Sequence, residues 1–417
     1  MNITISAPGL PPRRVPGNKI TEATKAYPFA VRHALSLSAK LEKGRLDIHM
    51  PDGVTFHFDT GQEGPAAEMN VRDFGFAKRL AKGGDIGIAE AYLQGDWETP
   101  DLPKFLELFC SNQSVMVKML EDKPFIRMLQ MVRHWMRRNT KSGSKRNIHA
   151  HYDLGNRFYE SWLDRTMTYS SALFTNGSSD LVSAQTEKYR ELARKTQLAP
   201  DLKVLEIGCG WGGFAEFAAK EYGCRVTGLT ISREQHDFAS KRIFDAGLAD
   251  RVEIKLQDYR DETGVFDRIA SIEMFEAVGE AYWQTYFQQL RDRLAPGGLA
   301  GLQVITIQES MFSHYRREMD FIRRYIFPGG MLPTGSIMRE LGARHGLPLA
   351  TERVFGLDYA VTLAQWRDRF YAAWPSLTKL GFDERFRRMW EYYLSYCEAG
   401  FRAGTIDVRQ MVFAKAG

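Results

Sequence analysis

Lys203-Val-Leu-Glu-Ile-Gly-Cys-Gly-Trp-Gly-Gly213 decides how this chain is read. Val204, Leu205 and Ile207 form a short apolar run, the pattern of a parallel strand buried on both faces. Gly208, Gly210, Gly212 and Gly213 follow, and Phe214-Ala-Glu-Phe-Ala-Ala-Lys220 has the character of a helix. Strand, glycine turn and helix together make a nucleotide-cofactor site. Backbone without Cβ atoms lets a ligand approach, and the helix N-terminus faces it. A plain strand-to-helix turn does not need so many glycines.

A dinucleotide site places an acidic residue on the ribose roughly 20 residues further on. The next strand here, Cys224-Arg-Val-Thr-Gly-Leu-Thr230, ends without a carboxylate. The following segment, Thr230-Ile-Ser-Arg-Glu-Gln235, offers Thr230 and Gln235 as hydrogen-bonding partners for a ribose. That disfavours NAD and leaves S-adenosylmethionine open; spacing alone does not choose between cofactors.

Working outward, strands and helices keep alternating. Val252-Glu-Ile-Lys-Leu256, Phe266-Asp-Arg-Ile-Ala-Ser-Ile272 and Leu299 to Ile307 read as strands, and Tyr282 to Leu294 as a helix stopped by Pro296-Gly-Gly298. The alternation predicts an α/β fold, a doubly wound parallel sheet. Ligands of such sheets bind beyond the carboxyl ends of the strands. Gly208, Thr230, Asp258 and Glu276 all fall just past strand ends, so they are expected to ring one crevice.

The rest of the chain divides by composition. Residues 1–30 read as a loose leader without the apolar core of a signal peptide. Residues 31–132 read as a small α+β unit. Leu46-Asp-Ile-His-Met50 and Val54-Thr-Phe-His-Phe58 alternate across Pro51-Asp-Gly53 as a hairpin does. Helices are expected at Phe74–Lys82, Asp85–Gln94 (stopped by Gly95), Leu102–Cys110 and Val115–Val132. Residues 133–150 carry six Lys or Arg and no acid, a basic linker suited to anionic headgroups or simply to solvent. The remainder, 151–417, is the expected catalytic domain.

Composition sets bounds on function. The chain has 417 residues, net charge +5, and is 44% hydrophobic and 26% charged, as a folded two-domain protein would be. The four cysteines lie far apart with no metal-ligand spacing, so no metal site and a reducing cytoplasm are expected. No run approaches the ~18 apolar residues of a membrane span, so any lipid is met from one side. No aromatic-studded basic motif points to nucleic acid.

Six stretches carry a family resemblance: His151-Tyr-Asp-Leu-Gly-Asn156, Met167-Thr-Tyr-Ser170, Val204 to Gly213, Met274-Phe-Glu-Ala-Val-Gly279, Tyr325-Ile-Phe-Pro-Gly-Gly330 and Tyr392-Tyr-Leu-Ser-Tyr-Cys397. On these the chain resembles the cyclopropane-fatty-acyl-phospholipid synthases, relatives of the mycolic acid cyclopropane synthases. The resemblance implies a Rossmann-like class I methyltransferase domain using S-adenosylmethionine, with a smaller N-terminal lipid-associated α+β domain. It implies cofactor contacts at Tyr169, Ser170, Gly208, Gly210, Thr230, Gln235, Tyr259 and Arg260. It also implies a bicarbonate ion as bound base, held by Glu276, the backbone of Ile305, Tyr359, Ser171 and Gln303. The best-known bacterial members have cysteine where Ser171 stands and histidine where Gln303 stands. Both replacements still hydrogen-bond an anion.

Glu276, between Phe275 and Ala277 past a strand end, is the leading catalytic candidate, since a carboxylate there is costly without a partner. Glu273 ranks behind it. Cys397 belongs to the family signature, but it shares an apolar helical face with Phe386, Met389, Trp390, Tyr393, Leu394 and Phe401. A thiol so placed has a raised pKa, and it reads as lining a core or acyl tunnel rather than as a nucleophile. Tyr169, Phe174, Phe275, Tyr325, Phe327 and Tyr359 are the rings available to face a carbocation. Phe312 to Phe327 mixes arginines with aromatic residues, as a phosphate-headed lipid requires or as any amphipathic helix does.

These readings converge on transfer of a methyl carbon to the cis double bond of an unsaturated acyl chain in a membrane phospholipid, giving a cyclopropane. The expected setting is the inner membrane face, reached from the cytoplasm, with the protein a homodimer. A methyl- or methylene-branched product, a vestigial lipid-binding relative, and a methyltransferase for a small soluble molecule are the alternatives.

Overall fold

The computed structural model describes residues 1–113, 154–175, 177 and 180–417. The expected helix at Val115–Val132, the basic linker 133–150 and the residues His151 to Asp153 lie outside them. The described residues form two units. The first takes residues 1–113, 318–321 and 378–405; the second takes the others.

In the second unit the strand order is β12-β13-β11-β10-β7-β8-β9. The strands are β7 (Lys203–Ile207), β8 (Arg225–Thr230), β9 (Val252–Leu256), β10 (Phe266–Ile272), β11 (Leu294–Ile307), β12 (Leu349–Val354) and β13 (Ile406–Ala414). From β9 to β11 every pairing is parallel, whereas β13 runs antiparallel to both β11 and β12. The chain winds outward from β7 to β9, then returns to place β10 on the other side of β7. The crossover connections put helices on both faces. Two separate cores result. Val204, Val226 and Val252 pack with Phe214, Ala218, Ile243 and Leu192 on one face; Leu205, Ile207 and Leu229 pack with Trp283, Tyr286, Phe287, Met338 and Leu341 on the other. Alternate residues of one strand feed both cores, which is why Val204, Leu205 and Ile207 are all apolar although they point to different faces. The order reverses between β7 and β10, so the loops after these two strands open the binding crevice.

The first unit corrects two expectations. Residues 1–30 are not a loose leader: Asn2–Ala7 and Leu10–Pro16 are strands, β1 and β2. They complete a six-stranded sheet, β2-β1-β4-β3-β5-β6, with β3 Arg45–His49, β4 Thr55–Asp59, β5 Ala66–Val71 and β6 Trp97–Glu98. Proline cannot donate to a ladder, but β2 pairs with β1 alone and is an edge strand, where its prolines are tolerated. The expected hairpin 46–58 is β3 and β4, in antiparallel register. The expected helices near 74–94 form Gly75–Gln94, broken at Gly84 and closed by left-handed Gly95.

The second correction concerns the C-terminal region. Residues 151–417 are not one domain, because the helix Glu384–Arg402 belongs to the first unit. Its Tyr392 meets Tyr92 at 5.7 Å, and Arg388 donates to Glu98 Oε1 at 2.8 Å while covering the Tyr92 ring at 5.3 Å. Asp383 caps this helix, its Oδ1 accepting from Phe386 N–H at 2.7 Å. Asp383→Ala should therefore cost about 1 kcal/mol in urea unfolding; an unchanged midpoint would refute the cap. Phe312 to Phe327 is not one amphipathic helix either. Glu309–Tyr315 is helical, Glu318–Phe321 goes to the first unit, and Ile322–Ile326 is a π-helical turn. Arg323 is buried, with its guanidinium 4.2 Å from the Tyr315 ring centre, rather than presented to a headgroup.

Candidate active site

The glycine turn after β7 is built as its sequence requires. Gly208, Gly210 and Gly212 have φ of 82°, 52° and 80°, backbone that favours glycine. A Cβ at Gly210 would meet nothing within 4 Å, so this stretch of backbone borders open space. That space is a cavity whose wall includes Tyr169, Ser170, Gly208, Gly210, Thr230, Gln235, Tyr259 and Arg260. All of the expected cofactor contacts are thus brought to one cavity. Thr230 and Gln235 bond each other at 2.9 Å, and Arg260 grips Asp258 through two bonds of 2.8 and 2.6 Å. Tyr169 sits in an aromatic nest, 5.4 Å from Tyr159, 5.6 Å from Trp162 and 5.3 Å from Trp366. Phe275, by contrast, is core, stacked on Trp283 at 5.6 Å.

The cavity suits a cation. Glu206 and Glu273 stand on its wall, with Asp258 already paired to Arg260. Buried Glu206 has an Oε2 without a hydrogen-bond partner, and burial pushes its carboxyl well above the ordinary range. An unsatisfied carboxylate is costly unless a ligand completes it. S-adenosylmethionine, carrying an ammonium and a sulfonium, fits those acceptor oxygens and the glycine cradle.

Of the residues expected to hold a bound base, Ser171, Gln303, Ile305, Glu276 and Tyr359 all lie in the second unit, while Cys397 lies in the first, half-buried on the Glu384–Arg402 helix. Glu276 Oε1 accepts from Ile305 N–H at 2.5 Å, and its buried Oε2 has no partner. The other groups converge on Glu273. Its Oε1 accepts from Ser171 N–H at 2.8 Å and from Gln303 Nε2 at 2.8 Å, and its Oε2 accepts from the Tyr359 hydroxyl at 2.6 Å. The Ser171 hydroxyl is spent on the Ala172 carbonyl at 2.9 Å. Gln303 is oriented from behind by Gln410, whose Nε2 reaches Gln303 Oε1 at 3.1 Å and the Lys188 carbonyl at 3.0 Å. Bicarbonate therefore does not fit: the donors assigned to it are taken by the protein's own carboxylates, and a further anion would face two acids.

Lys188, which the sequence reading passed over, is wholly buried and donates to Ser170 Oγ at 2.6 Å. Burial pushes its ammonium down to about 7 against the pull of Glu273, Asp164 and Glu206. Burial also raises Glu273, opposed by its Tyr359 bond and by the Lys188 charge. Glu273 further sits at φ 50°, a backbone state costing a glutamate about 1–3 kcal/mol and kept only where its surroundings hold it.

Glu276 is pushed up to about 8, by burial first and by the Glu273 charge second. Its contribution to stability is whole below about pH 4.3, the ordinary glutamate value. That contribution is lost as pH rises through about 8, because the unfolded chain releases the proton first. The stability of wild type relative to Glu276→Gln should therefore fall across that window. Urea unfolding at several pH values measures it, and a flat difference would contradict the assignment.

The family model described as mycolic acid cyclopropane synthetase matches residues 139–411. The chain belongs to that family. It is 37% identical over 360 residues to the tuberculostearic acid methyltransferase of Mycobacterium tuberculosis, covering 82% of this chain and 81% of that one. It is equally 37% identical, over 352 residues, to the cyclopropane-fatty-acyl-phospholipid synthase of Escherichia coli, covering 84% and 88%. A solved mycolic acid cyclopropane synthase, in complex with SAH and CTAB, superposes with TM-score 0.62 at 29% identity over 65% of this chain and 98% of that one. As a family member the chain is a Rossmann-like class I methyltransferase dependent on S-adenosylmethionine, as the resemblance implied. Among the described residues no helix is long and apolar enough to cross a membrane.

Proposed function

We propose that this chain adds a methyl carbon to the cis double bond of an unsaturated acyl chain in a membrane phospholipid and closes it to a cyclopropane. The carrying observation is the single cavity that joins the glycine cradle, the Tyr169 nest and Glu273. When bound, S-adenosylmethionine supplies a methyl group on a positively charged sulfur, which the π electrons of the alkene displace. Gly208 and Gly210 admit the cofactor, Thr230 and Gln235 hold its ribose, and Tyr259 and Arg260 border its base. Tyr169 turns an aromatic face toward the positive charge. Trp162 and Trp366, both fully buried behind it, keep water from quenching a cationic carbon. The protein works as a homodimer on the inner membrane face, reached from the cytoplasm. Cys397 takes no part in the chemistry.

A second reading stops at a methyl- or methylene-branched chain. It is favoured by the equal identity to a relative whose name is that of a methyltransferase, not of a cyclopropane synthase. Phospholipids from cells expressing the chain decide between them. Mass spectrometry should show the gain of one CH2 on unsaturated acyl chains, and proton NMR should show ring hydrogens. Vinyl hydrogens in place of ring hydrogens would select the branched product. No gain on any unsaturated lipid would end both readings, and no heat on titration with S-adenosylmethionine would leave a lipid-binding relative.

A further inference from the structure

We propose that Glu273 is the catalytic base of this chain, its carboxylate standing in the place where the family resemblance puts a bicarbonate ion. The inference rests on the function proposed above and goes beyond it, replacing an exchangeable ion by a residue. Three of the groups that the resemblance assigns to the ion, Ser171, Gln303 and Tyr359, each bond Glu273 instead, at 2.8, 2.8 and 2.6 Å. A carboxylate and a bicarbonate present the same planar pair of oxygens, so one set of donors serves either.

The backbone agrees with a group held for its chemistry. Among the described residues Glu273 is one of four other than glycine with positive φ, and its own N–H is fixed on the Gln303 carbonyl at 2.8 Å. Strain of this kind survives where surrounding contacts over-determine it, and it gathers at reacting sites. Glu273 is one of the residues on the wall of the cofactor cavity, which places it beside the space where methyl transfer takes place. Of about four lone-pair directions on the two oxygens, three are occupied. The fourth is left to accept a proton.

The step balances without another reagent. After methyl transfer the neighbouring acyl carbon is cationic. Glu273 takes one proton from the new methyl group, and an O–H bond forms as that C–H bond breaks. The released electron pair closes onto the cationic carbon and makes the ring. The carboxylate becomes a carboxylic acid and returns its proton to solvent between turnovers. Two carboxylates in one buried site do not both ionise readily. The charge settles on Glu273, the acid with three donors, rather than on Glu276, whose Oε1 has one donor and whose Oε2 has none.

The test compares full-length protein in carbon-dioxide-free buffer with and without added bicarbonate, on vesicles of cis-unsaturated phospholipid. Wild type should be active and indifferent to bicarbonate. Glu273→Gln should lose about a hundredfold to ten-thousandfold in turnover, the usual contribution of a positioned base, while still binding S-adenosylmethionine by calorimetry. Glu273→Gly suits the backbone at this φ and should keep its melting temperature. Added bicarbonate, entering the vacated place, should raise its rate at least about tenfold, a readout that a merely structural role would not move. Wild type that is silent until bicarbonate is added overturns the proposal, as does Glu273→Gln with wild-type turnover or Glu273→Gly that bicarbonate leaves unchanged. Wild type that methylates no lipid in either buffer overturns the function proposed above, and this inference falls with it.

Discussion

Gly208→Val is expected to abolish binding of S-adenosylmethionine. Calorimetric titration should give a saturable heat with wild type and none with the variant. Gly208 lies at φ 82°, a genuine outlier for a β-branched residue. A Cβ there would come within 2.7 Å of Met274 Cγ and 3.0 Å of Met274 Cβ. The end of a methionine gives way cheaply, but its Cβ is tied to the backbone that also carries Glu273. Relief must therefore come from the turn. The Gly208 and Cys209 N–H groups both donate to the Leu229 carbonyl, at 3.0 and 2.9 Å, so a shifted turn also loosens the start of the crevice at β8. Backbone strain alone is worth about 1–3 kcal/mol, and every 1.4 kcal/mol is about tenfold in affinity. With the clash added, a loss of at least about a hundredfold follows. Circular dichroism should remain that of the folded protein. A variant that titrates like wild type would show that the cofactor does not use this turn.

Tyr359→Phe is expected to lower turnover about tenfold to a hundredfold and to move the acid limb of the pH–rate profile upward. The hydroxyl donates to Glu273 Oε2 at 2.6 Å. A hydrogen bond to a charged group is worth about 1.5–3 kcal/mol. This one favours the ionised carboxylate and opposes the upward push of burial, so its loss raises the Glu273 pKa further. The base then stays protonated to a higher pH, and activity returns only above it. The ring itself keeps its edge-on contact with Trp366 at 6.1 Å, so cofactor affinity and lipid KM should change little. A profile that drops uniformly, with no displacement of its acid limb, would separate Tyr359 from Glu273.

How much of this was legible in the sequence follows from how far each interaction reaches along the chain. The glycine turn is local: Lys203 to Gly213 holds strand, turn and helix start. Each partner loop is marked by its own strand, so the whole expected cofactor set lands on one cavity. The bound base is not local. Glu273 gathers donors 102, 30 and 86 residues away, and nothing in Ile272-Glu-Met-Phe-Glu276 tells which of the two acids receives them. The apolar neighbours of Glu276 single it out in the sequence; in the folded chain it accepts from the Ile305 amide, and Glu273 collects the charge-stabilising bonds. Positive φ at a glutamate is likewise invisible without coordinates.

The Glu384–Arg402 helix makes the same point at larger scale. Its apolar stripe is plain from the spacing of Trp390, Tyr393, Leu394 and Phe401, yet its partners sit nearly 300 residues upstream, as in the Arg388–Glu98 pair. Periodicity gives the face a helix buries and not what it is buried against. Lys188 carries no signal in the sequence for a different reason. One lysine in the helix Leu181–Lys195 looks like ordinary solvated charge until the fold buries it among Glu206, Asp164 and Glu273.

The most direct test of the account supplies the full-length protein with S-adenosylmethionine labelled in its methyl carbon and with vesicles of cis-unsaturated phospholipid. NMR of the recovered acyl chains then locates the label. The account predicts the labelled carbon in the acyl chain, as a ring methylene bridging the former double bond. Label that stays out of the acyl chains, or that appears only on headgroups, would contradict it.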